Sequence, residues 1–268
     1  MRFHSKSSGF ARMAVRLLLG GFVLLPVGAV AALSLRSPVS LKVTDLVGAA
    51  EQFLSWGQYR NILFHSPEYW KCFWNTLFLL VPAMALTVLF ATLAAYGLSC
   101  GRRSRAQTGA VMVYILLSLL PTQILLVPNF VALSAMGLIG SRLSVVLVCA
   151  FSPYYVYFMF RICRQIAPEI YEAARMEGAG ELKIYRSIAM PQMKSGIWLL
   201  VLIGSADLWN MVEQPLVFIQ DPSKYPLTVY LRDMDNSAGY AGSIVFSLPV
   251  MLLFLLCGRD TVEQIELL

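Results

Sequence analysis

Apolar residues in this chain come in long runs separated by short clusters of charge, glycine and proline. Six runs, at about 17–35, 74–98, 110–133, 143–162, 196–219 and 240–257, each approach the roughly 20 residues that a helix needs to cross a bilayer's hydrocarbon. The expected fold class is all-α, a polytopic membrane protein with six transmembrane helices. The first run follows a basic leader and contains Ala29-Val30-Ala31, a pattern shared with cleavable signal peptides. Its length and the spans that follow predict a retained signal anchor instead.

Orientation follows from lysine and arginine, because loops carrying them tend to stay on the cytoplasmic side. With the N-terminus inside, 14 of the 21 fall in inner segments and 7 in outer ones. Both termini are therefore expected in the cytoplasm. The outer segment from Arg36 to Lys71 is too short and polar to hold a core of its own. Trp56, Tyr59, Tyr69, Trp70 and Trp74 cluster near its ends, as interfacial anchors do.

Within the spans, Ala83, Ala85, Ala91, Ala94, Ala95 and Gly97 let another helix approach the second one closely. Pro121 and Pro128 predict kinks in the third, since each removes a backbone donor. The fifth carries Asp207, Asn210, Glu213 and Gln214, whose spacing of three and four residues predicts one helix face. Polar groups at membrane depth are costly enough to mark a pathway for a hydroxylated solute; the alternative is that they satisfy partner helices or lie near the outer surface.

Composition agrees with a membrane protein: 58% of the 268 residues are hydrophobic and 13% charged, with a mean hydropathy of +0.67. The net charge of +6 sits in short loops beside apolar spans, so nucleic acid is not an expected partner. The five cysteines form no CxxC pair, and two histidines argue against a histidine-rich metal site or imidazole acid–base chemistry. No GxxxxGK[ST] loop or HExxH occurs. The chain is expected to be a transport component with no catalytic, metal or cofactor-binding residues, energised by another protein.

The longest inner loop, about 164–194, reads as folded. Pro168 suits a helix start, Glu169 suits the positive N-terminal dipole, and Gly178 supplies a stop. A second helical stretch runs from Glu181 to Ala189, with an apolar stripe of Leu182, Ile184, Tyr185 and Ile188, before Pro191 ends it.

Here the residues resemble a known family. Glu172-Ala173-Ala174, then Gly178, then Ile188-Ala189-Met190-Pro191, is similar to the EAA motif of ABC importer permeases: EAA, three residues, Gly, nine residues, I-x-L-P. Every spacing matches; Met190 stands for the leucine, and Glu177 for an aspartate common before the glycine. Asn75-Thr76, Ala95-Tyr96-Gly97-Leu98, Gly137-Leu138, Trp209-Asn210 and Tyr225-Pro226-Leu227-Thr228 extend the resemblance to the maltose-type carbohydrate-uptake group. After the last span, Gly258 to Leu268 departs from the family's usual tail.

The resemblance covers nearly the whole chain and implies a single transmembrane domain over 1–268 in a bacterial inner membrane. It implies import of a sugar or oligosaccharide delivered by an extracytoplasmic solute-binding protein. A second, different permease subunit and two ABC ATPase subunits, which hold ATP and Mg, complete the implied assembly; a homodimer of this chain is the alternative. The motif's first helix becomes the coupling helix, with Glu172, Ala173, Ala174, Arg175 and Gly178 at the ATPase joint, and Ile188 and Pro191 fixing the return to the membrane. Ala173 and Ala174 allow close approach, and Glu172 and Arg175 can pair across an interface. A permease for a non-sugar solute is the nearest alternative function. A self-sufficient secondary transporter, which often shows inverted repeats, leaves the folded loop unexplained.

Overall fold

The computed structural model describes residues 5–35, 55–100, 104–234 and 236–265, and every regular element among them is a helix. In chain order these are α1 (Ser5–Ser34), α2 (Gly57–Arg60) with a π-helical turn over Asn61–His65, α3 (Pro67–Ser99), α4 (Arg105–Ser118), α5 (Thr122–Ala135), α6 (Arg142–Ala150) and α7 (Pro153–Cys163). Next come α8 (Pro168–Met176), α9 (Glu181–Ile184) with a π-helical turn over Tyr185–Ala189 and a single turn over Met190–Gln192, and α10 (Lys194–Trp209). After α11 (Glu213–Phe218) and a 3-10 turn at Pro222–Lys224, α12 (Leu227–Arg232) and α13 (Asn236–Ile265) end the series. Residues 36–54, most of the outer segment singled out above, lie outside the described residues, as do Arg102, Arg103 and the last three residues of the tail.

Four stretches among the described residues are long and apolar enough to span a membrane: Val15–Ser34, Pro67–Ser99, Arg142–Cys163 and Ala238–Leu256. Two bent pairs, α4 with α5 at 101° and 181–192 with α10 at 72°, raise the number to six when each pair counts as one span. The bend after α4 has a local cause. Pro121 sits extended, at φ −58° and ψ 135°, immediately before α5, where its ring and missing donor prevent α4 from continuing. Pro128 stays inside α5. Pro153 opens α7 in the same way, after Phe151 and Ser152 interrupt the fourth run.

The chain divides into two compact units, Met1–Trp70 with Leu231–Leu248, and Lys71–Tyr230 with Pro249–Leu268. In the first, Ser34 Oγ and Tyr59 Oη share a hydrogen bond of 2.6 Å, and buried Tyr69 donates to the Gly242 carbonyl at 3.2 Å. Trp56 and Trp70 are exposed, as interfacial rings are. Tyr69 departs from that pattern, its ring taken up by packing.

In the second unit, Leu79, Ala83, Thr87, Ala91 and Ala95 form the buried stripe of α3 at every fourth position. Thr87 returns its hydroxyl to the Ala83 carbonyl at 2.8 Å, so the stripe carries no unpaired donor there. Helix α7 packs along α4 and α10, and α11 lies against α5 and α6. Two glycines of α10 set how near its neighbours come. A Cβ at Gly196 would lie 2.3 Å from Ile162 Cδ1, and one at Gly204 would lie 3.0 Å from Met84 Sδ. Where lipid tails are as apolar as leucine, such close backbone approach is a main source of helix association. The opposite faces expose leucine, valine and phenylalanine, including Phe78, Val81, Val127 and Val131, as acyl chains allow.

Candidate functional site

The segment after α7 is built on α8. Pro168 occupies its first turn, Glu169 lies at the positive end of its dipole and Arg175 at the negative end. Tyr171 and Ala174 are buried, while Glu172, Ala173 and Met176 are exposed, Met176 to 89%. Helix α8 therefore keeps one face against its own chain and presents the other outward. It ends at Gly178, whose φ is +82°. The Gly178 amide donates to the Arg175 carbonyl at 2.9 Å and the Ala179 amide to that of Ala174 at 3.0 Å, the paired bonds of a Schellman stop. A Cβ at 178 would meet nothing within 4 Å, so glycine is required here by backbone conformation alone.

Beyond the turn, Ile184, Tyr185 and Ala189 are buried and Ile188 is half-buried, but Leu182 is 59% exposed. The apolar stripe expected on the second helix is thus narrower, because α9 passes into a π-helical turn that changes the angular step per residue. Pro191 is exposed in the single turn preceding α10.

Arg175, expected to pair across an interface, is engaged within the chain. Its Nε donates to Glu181 Oε1 at 2.7 Å, and its Nη2 reaches Glu181 Oε2 at 3.3 Å. Glu181 in turn pushes the Arg175 guanidinium further above its ordinary range, so the cation is permanent. Tyr96, in the last turn of α3, donates to Glu181 Oε2 at 2.6 Å. The Tyr96 ring meets Tyr171 edge-on at 5.8 Å and Tyr185 at 5.4 Å, and Tyr185 Oη shares a 2.8 Å hydrogen bond with Thr92 Oγ1. Glu181, Tyr185 and Thr92 carry no motif signal in the sequence. The available cue was opposite charges on either side of a helix-stopping glycine.

The four candidate pathway residues do not share one helix face. Helix α10 ends at Trp209, Asn210 caps it, and Glu213 and Gln214 begin α11. Pro215 accounts for the break: its ring excludes a helical carbonyl at position 211, and Met211's carbonyl instead accepts Thr228 Oγ1 at 2.5 Å. Asp207 is exposed and accepts from the Tyr155 hydroxyl of α7. Glu213 accepts from Gln123 Nε2 of α5 at 2.9 Å, and Asn210 donates to its own helix at Ala206 at 2.8 Å. Both carboxylates thus keep one neutral donor each, with oxygen capacity left over.

Asn75, in the N-terminal part of α3, gathers a loop. Its Nδ2 donates to the Ser223 and Tyr225 carbonyls at 2.9 and 3.1 Å, while its Oδ1 accepts from Arg142 Nη2 at 2.6 Å. Neighbouring Thr76 accepts the Leu227 amide at 2.9 Å. Asp221, held below its ordinary carboxylate range by the Ser223 hydroxyl and amide, shapes the turn between them.

Known proteins are similar to this chain. The chain is 26% identical to the diacetylchitobiose uptake system permease protein NgcG of Streptomyces coelicolor, over 75% of each chain. It is 26% identical to the arabinooligosaccharides transport system permease protein AraQ of Bacillus subtilis, over 75% of this chain and 74% of that one. The fold matches a chain from the crystal structure of a bacterial ABC transporter involved in the import of the acidic polysaccharide alginate, with a TM-score of 0.77, 21% identity, and coverage of 97% and 99%. Residues 73–258, which hold α8, its glycine turn and every polar cluster just described, match one family model, and on that match the chain belongs to the family of binding-protein-dependent transport system inner membrane components.

Proposed function

We propose that this chain is the permease subunit of an ATP-driven ABC importer and forms part of the translocation pathway for a sugar or oligosaccharide. The observation that carries the reading is α8: a short helix fixed on its buried face by Tyr171 and Ala174, and offering Glu172, Ala173 and Met176 to a partner. That suits a lever seated in a groove of an ATPase subunit. The permease relatives of diacetylchitobiose and arabinooligosaccharide systems support the solute class.

In this reading both termini and the loop at about 164–194 are cytoplasmic. ATP and Mg are held by two separate ATPase subunits, a second permease completes the pathway, and a solute-binding protein delivers the cargo on the outer side. Closure of the ATPases on nucleotide moves α8. Because α8 and α9 are fastened to the inner end of α3, and α9 continues toward α10, the displacement reaches α10, which carries Asp207. Asp207 and Glu213 offer hydrogen-bond acceptors to sugar hydroxyls. The outer loop held by Asn75 lies near where cargo would enter.

The test is purification of the tagged chain from native membranes in mild detergent, with its companions identified by mass and assayed for ATP hydrolysis. Recovery of a P-loop ATPase and a second permease, followed by ATP-dependent uptake of labelled oligosaccharide in liposomes, is the expected result. A chain that purifies alone and transports without ATP would replace this reading with a secondary transporter.

A further inference from the structure

We propose that Glu181 is a positioning residue that locks the coupling helix to the inner end of α3, so that α8 and α3 move as one body. This rests on the permease reading above and names the joint through which it works. One carboxylate ties three segments. Arg175 at the end of α8 and Tyr96 at the end of α3 both donate to Glu181, the first residue of α9. The same guanidinium reaches back to the Cys100 carbonyl just beyond α3, with Nη1 at 3.4 Å and Nη2 at 3.3 Å. The network straddles the Gly178 turn and closes it into a ring.

Directional bonds do here what packing cannot. The aromatic contacts of Tyr96 with Tyr171 and Tyr185 tolerate sliding and rotation, because ring pairs accept a range of offsets. A carboxylate holding a guanidinium on one oxygen and a phenol on the other fixes the angle between the elements. The pair is also open to solvent, with side chains of Arg175 and Glu181 exposed to 35% and 60%, so screening keeps its contribution to stability small. A group that orients strongly and stabilises weakly has a distinctive signature: its loss loosens the joint without unfolding the protein.

The test uses the intact transporter with its ATPases, in nanodiscs and in proteoliposomes. Two quantities are read for Glu181→Ala, Glu181→Gln, Tyr96→Phe and the double variant Tyr96→Phe/Glu181→Gln: amide hydrogen exchange across residues 176–182, and ATP hydrolysed per solute imported. Glu181→Ala is expected to speed exchange in the turn and raise the ATP cost per solute by about two- to fivefold, the size of effect left to a solvent-screened pair, with the unfolding temperature unchanged. Glu181→Gln, which keeps an acceptor oxygen, should fall between Ala and wild type. The double variant should be less impaired than the sum of its singles, since both substitutions break one network. Wild-type coupling in Glu181→Ala, whether or not exchange rises, overturns the positioning role, as does additivity in the double variant. Failure of the unmutated transporter to couple ATP to import would instead overturn the permease reading beneath it.

Discussion

Replacing Gly178 with alanine isolates the backbone requirement of the turn that ends α8. At a φ of +82°, a Cβ costs an L-residue about 1–2 kcal/mol. No clash adds to this, because nothing lies within 4 Å of the new atom. A penalty of that size shifts a two-state population by about 5–30-fold, here toward loops in which the last turn of α8 and the Arg175–Glu181 pair separate. Asparagine visits the left-handed region more readily, so Gly178→Asn should recover much of the loss. Gly178→Pro should lose most, since proline holds φ near about −65° and removes the amide that reaches the Arg175 carbonyl. Membrane insertion should be unaffected in all three. The assay is solute imported per ATP hydrolysed in proteoliposomes, with insertion checked by protease accessibility of the loops. Wild-type coupling in the alanine and proline variants, or an asparagine variant as impaired as proline, refutes the reasoning.

Other outcomes follow from the same structure. Glu172→Lys reverses charge on an exposed position of α8 and should leave the fold intact while lowering co-purification of the ATPase at least several-fold, read by quantitative pull-down. Gly196→Leu forces side-chain atoms into Ile162, which already lies 2.3 Å from a Cβ at that position; overpacking of this kind costs about 1–3 kcal/mol, and adding Ile162→Ala should restore part of the lost thermal stability. Asn75→Ala removes both donors to the 223–225 loop, leaving carbonyls and the Arg142 contact unmatched at about 1–3 kcal/mol. Limited proteolysis should then cut near Lys224 faster than in the wild type.

The sequence was most informative where the chain's covalent properties decide the outcome. Pro168 and Gly178 punctuate α8 because a missing donor and a left-handed φ leave few other residues or conformations. The long apolar runs read as helices since a bilayer admits little else. Other features depended on what meets in space. Asp207, Asn210, Glu213 and Gln214 have helical spacing, yet Pro215 stops α10 early and hands the Met211 carbonyl to Thr228. Arg175 reads as an interface residue until the turn brings Glu181 back beside it. Tyr96 belongs to a family-like string, but its hydrogen bond to a residue 85 positions away follows from the packing of α3 against the loop.

The ion pair that spans the glycine turn also constrains chain length. Arg175 and Glu181 are six positions apart, one at the end of a helix and the other at the start of the next. A single residue inserted between them would disrupt the paired bonds of the Gly178 stop and carry the Glu181 carboxylate away from Arg175. Ala179 is half-buried and Gly180 has open space around it, so the letters there are free to change within modest limits. Insertions and deletions are not: in related permeases that keep this ion pair, the stretch from 176 to 180 should vary in identity around a fixed Gly178 and stay constant in number.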